Sequence, residues 1–414
     1  MNILLLGNGF DLYHGLPTKY VNFLNTVSYL ANSFQKDIKT VGDVFGKTEL
    51  HKNDKGIASS YQKYKATYDN VPLDNEAIRR LVEIGKKNIW FSFLLKSFNK
   101  DIGWIDFEQE IAIVVRSFEE LLRDARTTIA PNKRLSSPEA RYLVRVFNFY
   151  IDSNHSGGSS SVFSVNDDYC IEYPLGSKNK IINKEKMVDT LIVALSELAE
   201  GLKLYLQCFV DNVVMVLKTD GEIELCKALL HTNYTITFNY TNTYEILYSN
   251  NQTFHLHGNV NDKIILGINP DSADDIETID TSFIAFKKYY QRVLYETDVE
   301  YLHWLTDNRE TVEDRNLLIM GHSLDVTDKD ILYELIECAT DITILYHDET
   351  SKAQYISNLV KIFGREGFIQ LRAMKNLTLL PLNMDFTNFA MKRAEQQAYR
   401  EFCEEYDREE IVIV

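Results

Sequence analysis

Four short polar clusters hold the residues of this chain that could do chemistry, and each follows an apolar run. They are the segments 7–11, 239–241, 257–259 and 321–323. A short apolar run that ends in small or polar residues is typical of a buried strand. In an open α/β sheet, ligands bind at the carboxyl ends of the strands. We therefore expect the four clusters to line one site.

The first cluster reads Gly7, Asn8, Gly9, Phe10, Asp11. Its glycines would let backbone N–H groups approach a phosphate, and the start of a following helix adds a favourable dipole. However, Leu12 stands where the dinucleotide fingerprint needs a third small residue, and the Gly-Lys-Ser/Thr ending of a P-loop is absent. A carboxylate repels a pyrophosphate, so Asp11 suits ribose hydroxyls or a helix cap better. Nucleotide binding and a plain strand–helix turn both stay open for this loop.

Each of the other three clusters offers candidate groups for binding or catalysis. The Asn239 amide could bond a ribose hydroxyl or position a water, or it could cap the next helix. His257 can titrate near neutral pH, and Gly258 beside it leaves room for a ligand. His255 lies on the same face of the strand, but no third ligand is evident, so we predict a core histidine and no metal site. The last cluster offers a backbone approach point and a hydroxyl, or only a turn, through Gly321, His322 and Ser323.

Two further groups are more easily explained by structure than by function. Asp106 and Glu108 lie near a predicted helix start, where the helix dipole favours acidic residues, although they could also reach into the site. The basic residues within 287–292 could complement a phosphate, but such a run is more often a solvated helix face.

The remaining pattern predicts the elements that position these residues. Predicted strands alternate with helices after about position 233, which indicates a largely parallel sheet. The predicted strands are 3–6, 235–238, 253–256, 263–266, 316–320, 341–346 and 377–380. We predict an α/β fold with a Rossmann-like core and a large, mostly helical insertion. The core takes residues 1–24 and 231–385, the insertion 25–230 with a flexible loop near 151–185, and a C-terminal helix and tail 386–414.

Composition excludes several classes of protein. The net charge of −16 disfavours nucleic acid as a partner. The five cysteines are scattered and odd in number, which argues against a disulfide framework and favours a cytoplasmic location. The apolar start is too short for a signal peptide or a membrane span, so we expect no membrane partner.

Several of these motifs together resemble the AbiH bacteriophage abortive-infection family. The opening motif continues through His14, Gly15, Leu16, Pro17 and Thr18, with Tyr20 and Phe23 soon after. The later matches are Trp104 with Asp106, Glu108 and Ile111, then 238–241, 255–258, 266–268 and 321–324. The matches cover most of the chain, and the resemblance implies an anti-phage role.

The order of the motifs is also similar to that of sirtuin-like NAD-consuming domains. By that similarity, NAD is the substrate, Asn239 orients the nicotinamide ribose or a water, and His257 is the general base. Gly321 and Ser323 would hold the adenosine half. The chain departs from that group at Asp11 and at Thr241, and it lacks the paired cysteines of the deacetylase zinc module. The resemblance therefore implies glycohydrolysis rather than protein deacetylation.

Three hypotheses follow for the function. The first is an effector that hydrolyses NAD, with His257, Asn239 and Asp11 as catalytic residues and no metal. The second is a sensor that binds a nucleotide or ADP-ribose without turnover. The third is a metal-dependent nuclease-type toxin that uses Asp11, Asp106 and Glu108. A second copy of the chain or a phage-derived trigger would be a further partner consistent with an anti-phage role.

Overall fold

The chain folds into two compact units. Unit 1 contains Met1–Gly7, Glu224–Ile236 and Asn308–Val414, and unit 2 contains Asn8–Ile223 and Thr237–Asp307. This computed structural model describes residues 2–33, 38–98, 106–123, 138–153, 162–172, 180–223, 234–248, 253–268, 281–297, 315–374 and 377–382. The sequence-based boundaries at 24 and 230 stay a prediction.

The strands form one large sheet and two small ladders. They are β1 (Asn2–Leu6), β2 (Tyr150–Ser153), β3 (Val162–Val165), β4 (Cys170–Glu172), β5 (Lys180–Ile182), β6 (Tyr234–Thr237), β7 (Thr253–His255), β8 (Asn316–Met320), β9 (Asp341–Tyr346) and β10 (Thr378–Pro381). The six-stranded sheet has the order β10-β9-β8-β1-β6-β7. The pairs β1–β8, β8–β9 and β9–β10 are parallel. The predicted α/β fold with a largely parallel sheet is confirmed.

The central strands are apolar because both of their faces are covered. Ile3 to Leu6 of β1 are fully buried, and Leu317 and Ile319 of β8 are fully buried as well. Leu4 pairs with Leu318 in the parallel register. A parallel strand that is covered on both faces reads as a continuous apolar run rather than an alternating one. The strands were therefore recognisable in the sequence.

Helices fill most of the described chain. They are α1 (Gly9–Tyr13), α2 (Tyr20–Ser33), α3 (Val41–Phe45), α4 (Thr48–Asn53), α5 (Lys55–Lys63), α6 (Lys65–Asn70), α7 (Asn75–Lys87), α8 (Ile89–Phe98), α9 (Phe107–Arg123), α10 (Pro138–Val146), α11 (Lys184–Leu206), α12 (Asn212–Asp220), α13 (Thr243–Tyr248), α14 (Lys288–Tyr295), α15 (Lys329–Cys338) and α16 (Glu349–Met374). A π-helical turn, Gln207–Asp211, joins α11 to α12.

Helix α7 shows how the sequence specifies this helical layer. The Asp74 carboxylate caps its start by accepting from the N–H groups of Glu76 and Ala77. Ile78, Leu81 and further residues at helical spacing are buried, so one stripe faces the core. Such an apolar stripe, opened by an acidic N-cap, stabilises the helix mainly through packing. The core of unit 2 is built from stripes of this kind together with many aromatic side chains.

The structure differs from the prediction in two segments. Residues 263–266 form no regular strand, and only one isolated bridge joins Gly258 to Ile264. Within 151–185, which we predicted as a flexible loop, two antiparallel ladders form, β2 with β3 and β4 with β5. Their strands have three or four residues, too few to show a clear alternation. The predicted C-terminal helix at 386–408 lies outside the described residues.

Gly7 is required by packing inside unit 1. A Cβ at this position would lie 2.6 Å from the Cα of His322 and 2.8 Å from the carbonyl oxygen of Gly321. Both neighbours are backbone atoms, so neither can move aside without displacing the strand end. The glycine that we predicted to approach a phosphate thus lies against the backbone of the fourth cluster.

We expect Gly7→Ala to lower the free energy of unfolding by about 2 kcal/mol or more, because overpacking against backbone is costly. Gly367→Ala is the control, since it adds a methyl group to helix α16, where alanine is favoured over glycine. Urea unfolding monitored by circular dichroism measures both. Equal midpoints for the two variants would contradict the packing explanation.

Candidate functional site

Asp11 is the most unusual side chain of unit 2. It lies on α1 and is only 1% exposed. Its Oδ2 atom accepts a hydrogen bond from the Thr241 hydroxyl at 2.7 Å and lies 3.4 Å from the Asn239 amide nitrogen, which donates to it. Its Oδ1 atom makes no hydrogen bond of standard geometry with the described residues, although the Thr243 hydroxyl is near enough to favour the charged form. The first and second clusters of the sequence therefore meet in the structure.

Burial raises the pKa of Asp11 to about 7, because a desolvated carboxylate is disfavoured. The hydroxyls of Thr241 and Thr243 oppose this shift, and the charge of Glu245 adds to it. A carboxyl group that titrates near neutral pH in a buried polar cluster is a candidate functional group.

Two acidic residues that we did not single out in the sequence lie close to Asp11. Asp211, in the π-helical turn, accepts from the backbone N–H of Asn242 at 3.1 Å and from its side-chain amide at 2.8 Å. Burial raises the pKa of Asp211 to about 7 as well, and the charge of Asp11 contributes. Glu245 on α13 hydrogen-bonds to His255. The π-helical turn places Asp211 near Asp11. Such turns are frequent at functional sites, but the sequence gives no signal of them.

His257 lies next to the end of β6, the strand that Asn239 follows. Its ring packs edge-on against Phe238 at 5.1 Å between centroids, and its Nε2 atom lies 3.5 Å from a guanidinium nitrogen of Arg292. The Leu256 N–H donates to the Thr237 carbonyl, which holds the β6 and β7 ends side by side. His257 and Asn239 therefore follow neighbouring strands at the same offset.

Residues of α14 that we interpreted as a solvated face are buried. Lys288 is fully buried and forms a 2.7 Å ion pair with Glu108, and Arg292 is 5% exposed beside His257. The solvated-face interpretation was wrong: the Glu108 carboxylate compensates the charge of Lys288, and His257 accepts a hydrogen bond from Arg292. Asp106 caps α9 by accepting from the N–H of Glu108 at 2.9 Å, as its position predicted.

The other predicted binding residues have structural roles in the described chain. Asn8 is exposed and accepts from Thr18, while Phe10 packs in a buried aromatic cluster with Tyr244 and Tyr248. Gly258 adopts a positive φ of 72°, and a Cβ there would lie 1.7 Å from the Lys263 carbonyl oxygen.

In unit 1, the ring of His322 accepts from the Leu324 N–H, and the Ser323 carbonyl accepts from Asn358. The ring contact explains the histidine at position 322 without a ligand, whereas Ser323 contributes only its backbone to the contact. Nucleotide binding at Gly7, Asn8, Gly9, Phe10, Gly258, Gly321, His322 and Ser323 stays a prediction.

Unit 2 also contains a cavity of about 510 Å³ between α11 and α14. Lys203, Asp262 and Gln291 are among its lining residues, whereas Asp11, Asn239 and His257 are not.

In the part of the chain that the structure describes, no group of three or more His, Cys, Asp or Glu side chains is arranged to hold a metal ion. Within the same ranges, no helix has the length and apolarity of a membrane span.

The raised pKa values of Asp11 and Asp211 contribute a loss of fold stability as pH rises. In the unfolded chain an aspartate loses its proton near pH 4, whereas Asp11 and Asp211 keep theirs up to about pH 7. The unfolded state is therefore favoured by about 1 kcal/mol per pH unit for each such group between pH 4 and 7.

We expect Asp211→Asn to flatten this slope in urea titrations at several pH values. Asp220→Asn, which changes an exposed carboxylate, is expected to leave the slope as in the wild type. A slope unchanged by Asp211→Asn would contradict the assignment.

Comparison with known proteins agrees with the motifs of the sequence. The family model described as bacteriophage abortive infection AbiH matches residues 3–347. No curated protein and no solved structure gives a significant match. The matched segment contains Asp11, Asn239 and His257 and covers most of the 414 residues. The chain therefore belongs to the AbiH family of bacteriophage abortive infection proteins.

Proposed function

We propose that this abortive-infection protein is an NAD glycohydrolase. The reaction breaks the bond between C1′ of the nicotinamide ribose and the pyridinium nitrogen. The nitrogen keeps the bonding electron pair and leaves as neutral nicotinamide. Water adds to C1′ and loses a proton, so the products are nicotinamide, ADP-ribose and a proton. Depletion of NAD would then stop the growth of an infected cell.

The observation that carries the proposal is the Oδ1 atom of Asp11. A buried carboxylate oxygen without a well-formed hydrogen bond is costly, and the nearby Thr243 hydroxyl offsets that cost only in part. A ribose hydroxyl would donate to this oxygen and remove the cost. The same bond would favour the ionised form of Asp11, whose burial otherwise raises its pKa.

The neighbours of Asp11 suit the transition state of this reaction. Cleavage of an N-glycosidic bond passes through an oxocarbenium-like state with positive charge on the sugar. A preorganised carboxylate beside the sugar stabilises that charge. Asn239, whose amide donates to Asp11 at 3.4 Å, would orient the ribose or the attacking water.

His257 is the base in this proposal. A guanidinium can only donate hydrogen bonds, so the ring nitrogen that faces it presents a lone pair. Arg292 supplies that guanidinium, 3.5 Å from the Nε2 atom of His257. The ring of His257 lies against Phe238, the residue directly before Asn239, so base and amide follow neighbouring strand ends.

Titration of the product ADP-ribose into the purified protein tests the ribose contact. We expect Asp11→Ala to weaken binding about 10-fold or more, because a hydrogen bond to a charged group contributes about 1.5–3 kcal/mol. Wild-type affinity should increase as pH rises through about 7, since the ionised carboxylate is the acceptor. Asp220→Asn, at an exposed position, is the control. Equal affinity of wild type and Asp11→Ala for ADP-ribose would show that Asp11 does not bind the ribose. Binding of NAD without turnover would instead support the sensor hypothesis.

A further inference from the structure

His255 lies between two groups that only accept hydrogen bonds. Its Nδ1 atom is 3.0 Å from the backbone carbonyl oxygen of Asn239, and its Nε2 atom bonds to a carboxylate oxygen of Glu245. A carbonyl and an ionised carboxylate have no proton to offer, so both ring nitrogens must carry one. The geometry therefore corresponds to an imidazolium that is 7% exposed, facing a carboxylate.

We propose that Glu245 and His255 form a positioning pair: His255 fixes the Asn239 peptide, and its positive charge offsets the repulsion between Glu245 and Asp11. The proposal rests on the NAD-cleaving function of the same site. It assigns no contact between His255 and the substrate.

The peptide of Asn239 is held from both sides. Its N–H donates to the Thr237 hydroxyl at 3.0 Å, and its carbonyl accepts from His255 at 3.0 Å. The backbone at this point determines where the side-chain amide can reach, and that amide donates to Asp11. A change at His255 would therefore move the amide relative to the sugar.

The charges around this site make the imidazolium necessary. Three acidic groups converge here from different elements: Asp11 from α1, Asp211 from the π-turn and Glu245 from α13. Burial alone would lower the pKa of His255, but the hydrogen bond and charge of Glu245 raise it above the usual value. The bond to Asn239 and the charge of Asp211 act in the same direction. The charge of Glu245 adds to the effect of burial in raising the pKa of Asp11, and the charge of His255 lowers that pKa, so the imidazolium offsets the nearby carboxylate.

A purely structural histidine predicts a different outcome for its removal. If His255 only fills the core, its loss lowers stability and affects activity equally at every pH. If it supplies charge, its loss shifts the pH at which Asp11 ionises. The pH profile of kcat/KM separates the two explanations.

The test compares His255→Gln with wild type and with His14→Gln. Glutamine keeps a polar side chain without the charge. His14 is also buried, but burial lowers its pKa to about 4, so it carries no charge at neutral pH. For His255→Gln we expect the acid limb of kcat/KM for NAD to move up by about one pH unit. Activity would fall roughly fivefold at pH 7 and recover to within about twofold at pH 9. The His14→Gln limb should coincide with that of wild type.

Two measurements without NAD keep the test independent of the reaction. In ¹⁵N-histidine-labelled wild type, we expect NMR to show both His255 nitrogens protonated at pH 7, with the signals assigned by their loss in His255→Gln. In ¹³C-carboxyl-aspartate-labelled protein, the Asp11 signal, assigned with Asp11→Asn, should titrate about one unit higher in His255→Gln. If that variant does not fold, Glu245→Gln is used, and His255 should then lose its second proton at a lower pH.

Failure of the positioning pair can be distinguished from failure of the proposed NAD hydrolysis. A neutral His255 at pH 7, or an Asp11 titration unchanged by His255→Gln, overturns the positioning pair whether or not NAD is cleaved. An active His255→Gln enzyme with an unmoved acid limb also overturns it. Absence of NAD hydrolysis by wild type overturns the proposed function, while the two NMR results still decide the charge of the pair.

Discussion

Replacement of His257 by alanine is expected to lower kcat for NAD hydrolysis about 10²–10⁴-fold, the usual contribution of a general base. In the proposed reaction, the imidazole of His257, beside Arg292, takes the proton from the attacking water, and an alanine side chain cannot do so. KM should change little, because the base contributes to the transition state more than to binding.

The control for this prediction is His347→Ala, since the His347 side chain is 82% exposed. We expect that variant to hydrolyse NAD like the wild type. Circular dichroism and the thermal midpoint must show that His257→Ala is folded. A folded His257→Ala protein with wild-type kcat would remove His257 from the reaction.

Replacement of Glu108 by alanine is expected to lower the free energy of unfolding by about 3 kcal/mol. Lys288 is fully buried, and its ammonium would lose the carboxylate that lies 2.7 Å away. Removing one partner of a buried ion pair costs about 3–5 kcal/mol, because the remaining charge is poorly solvated.

Glu83→Ala is the matched control for Glu108. Glu83 pairs with Lys87 and Arg80 on the exposed side of α7, where water and salt screen the charges. Its removal should change the urea midpoint little. Similar midpoints for the two variants would show that the buried pair contributes no more than a surface pair.

The sheet could be predicted from the sequence because its strands are covered on both faces. The apolar runs at 3–6, 316–320 and 341–346 have no competing interpretation once helices separate them. The run at 263–266 is equally apolar, yet it forms no ladder apart from one bridge. Burial beneath neighbouring helices, rather than strand pairing, explains its composition: Ile264, Ile265 and Leu266 are all buried.

The candidate site was predicted in part. The polar residues after strand ends identified Asp11 and Asn239, and the structure brings them together. Asp211 and Glu245 were not found, because each lies within a helical segment that gives no local signal of function. Their role depends on long-range contacts with Asn242 and His255. Spacing along the chain cannot encode such contacts.

The burial of α14 was missed for a related reason. A run that contains Lys288 and Arg292 is normally solvated, and partners such as Glu108 and His257 make its burial acceptable. Those partners come from segments far apart in the sequence. The pattern of one helix therefore could not show which cations face inward.

Incubation of the purified protein with NAD, with and without phage components, tests the central claim most directly. Liquid chromatography would follow nicotinamide and ADP-ribose over time. The account predicts that both products appear in equal amounts and that His257→Ala forms them about 10²–10⁴-fold more slowly. If wild type releases no nicotinamide under either condition while NAD stays intact, the protein is not an NAD glycohydrolase.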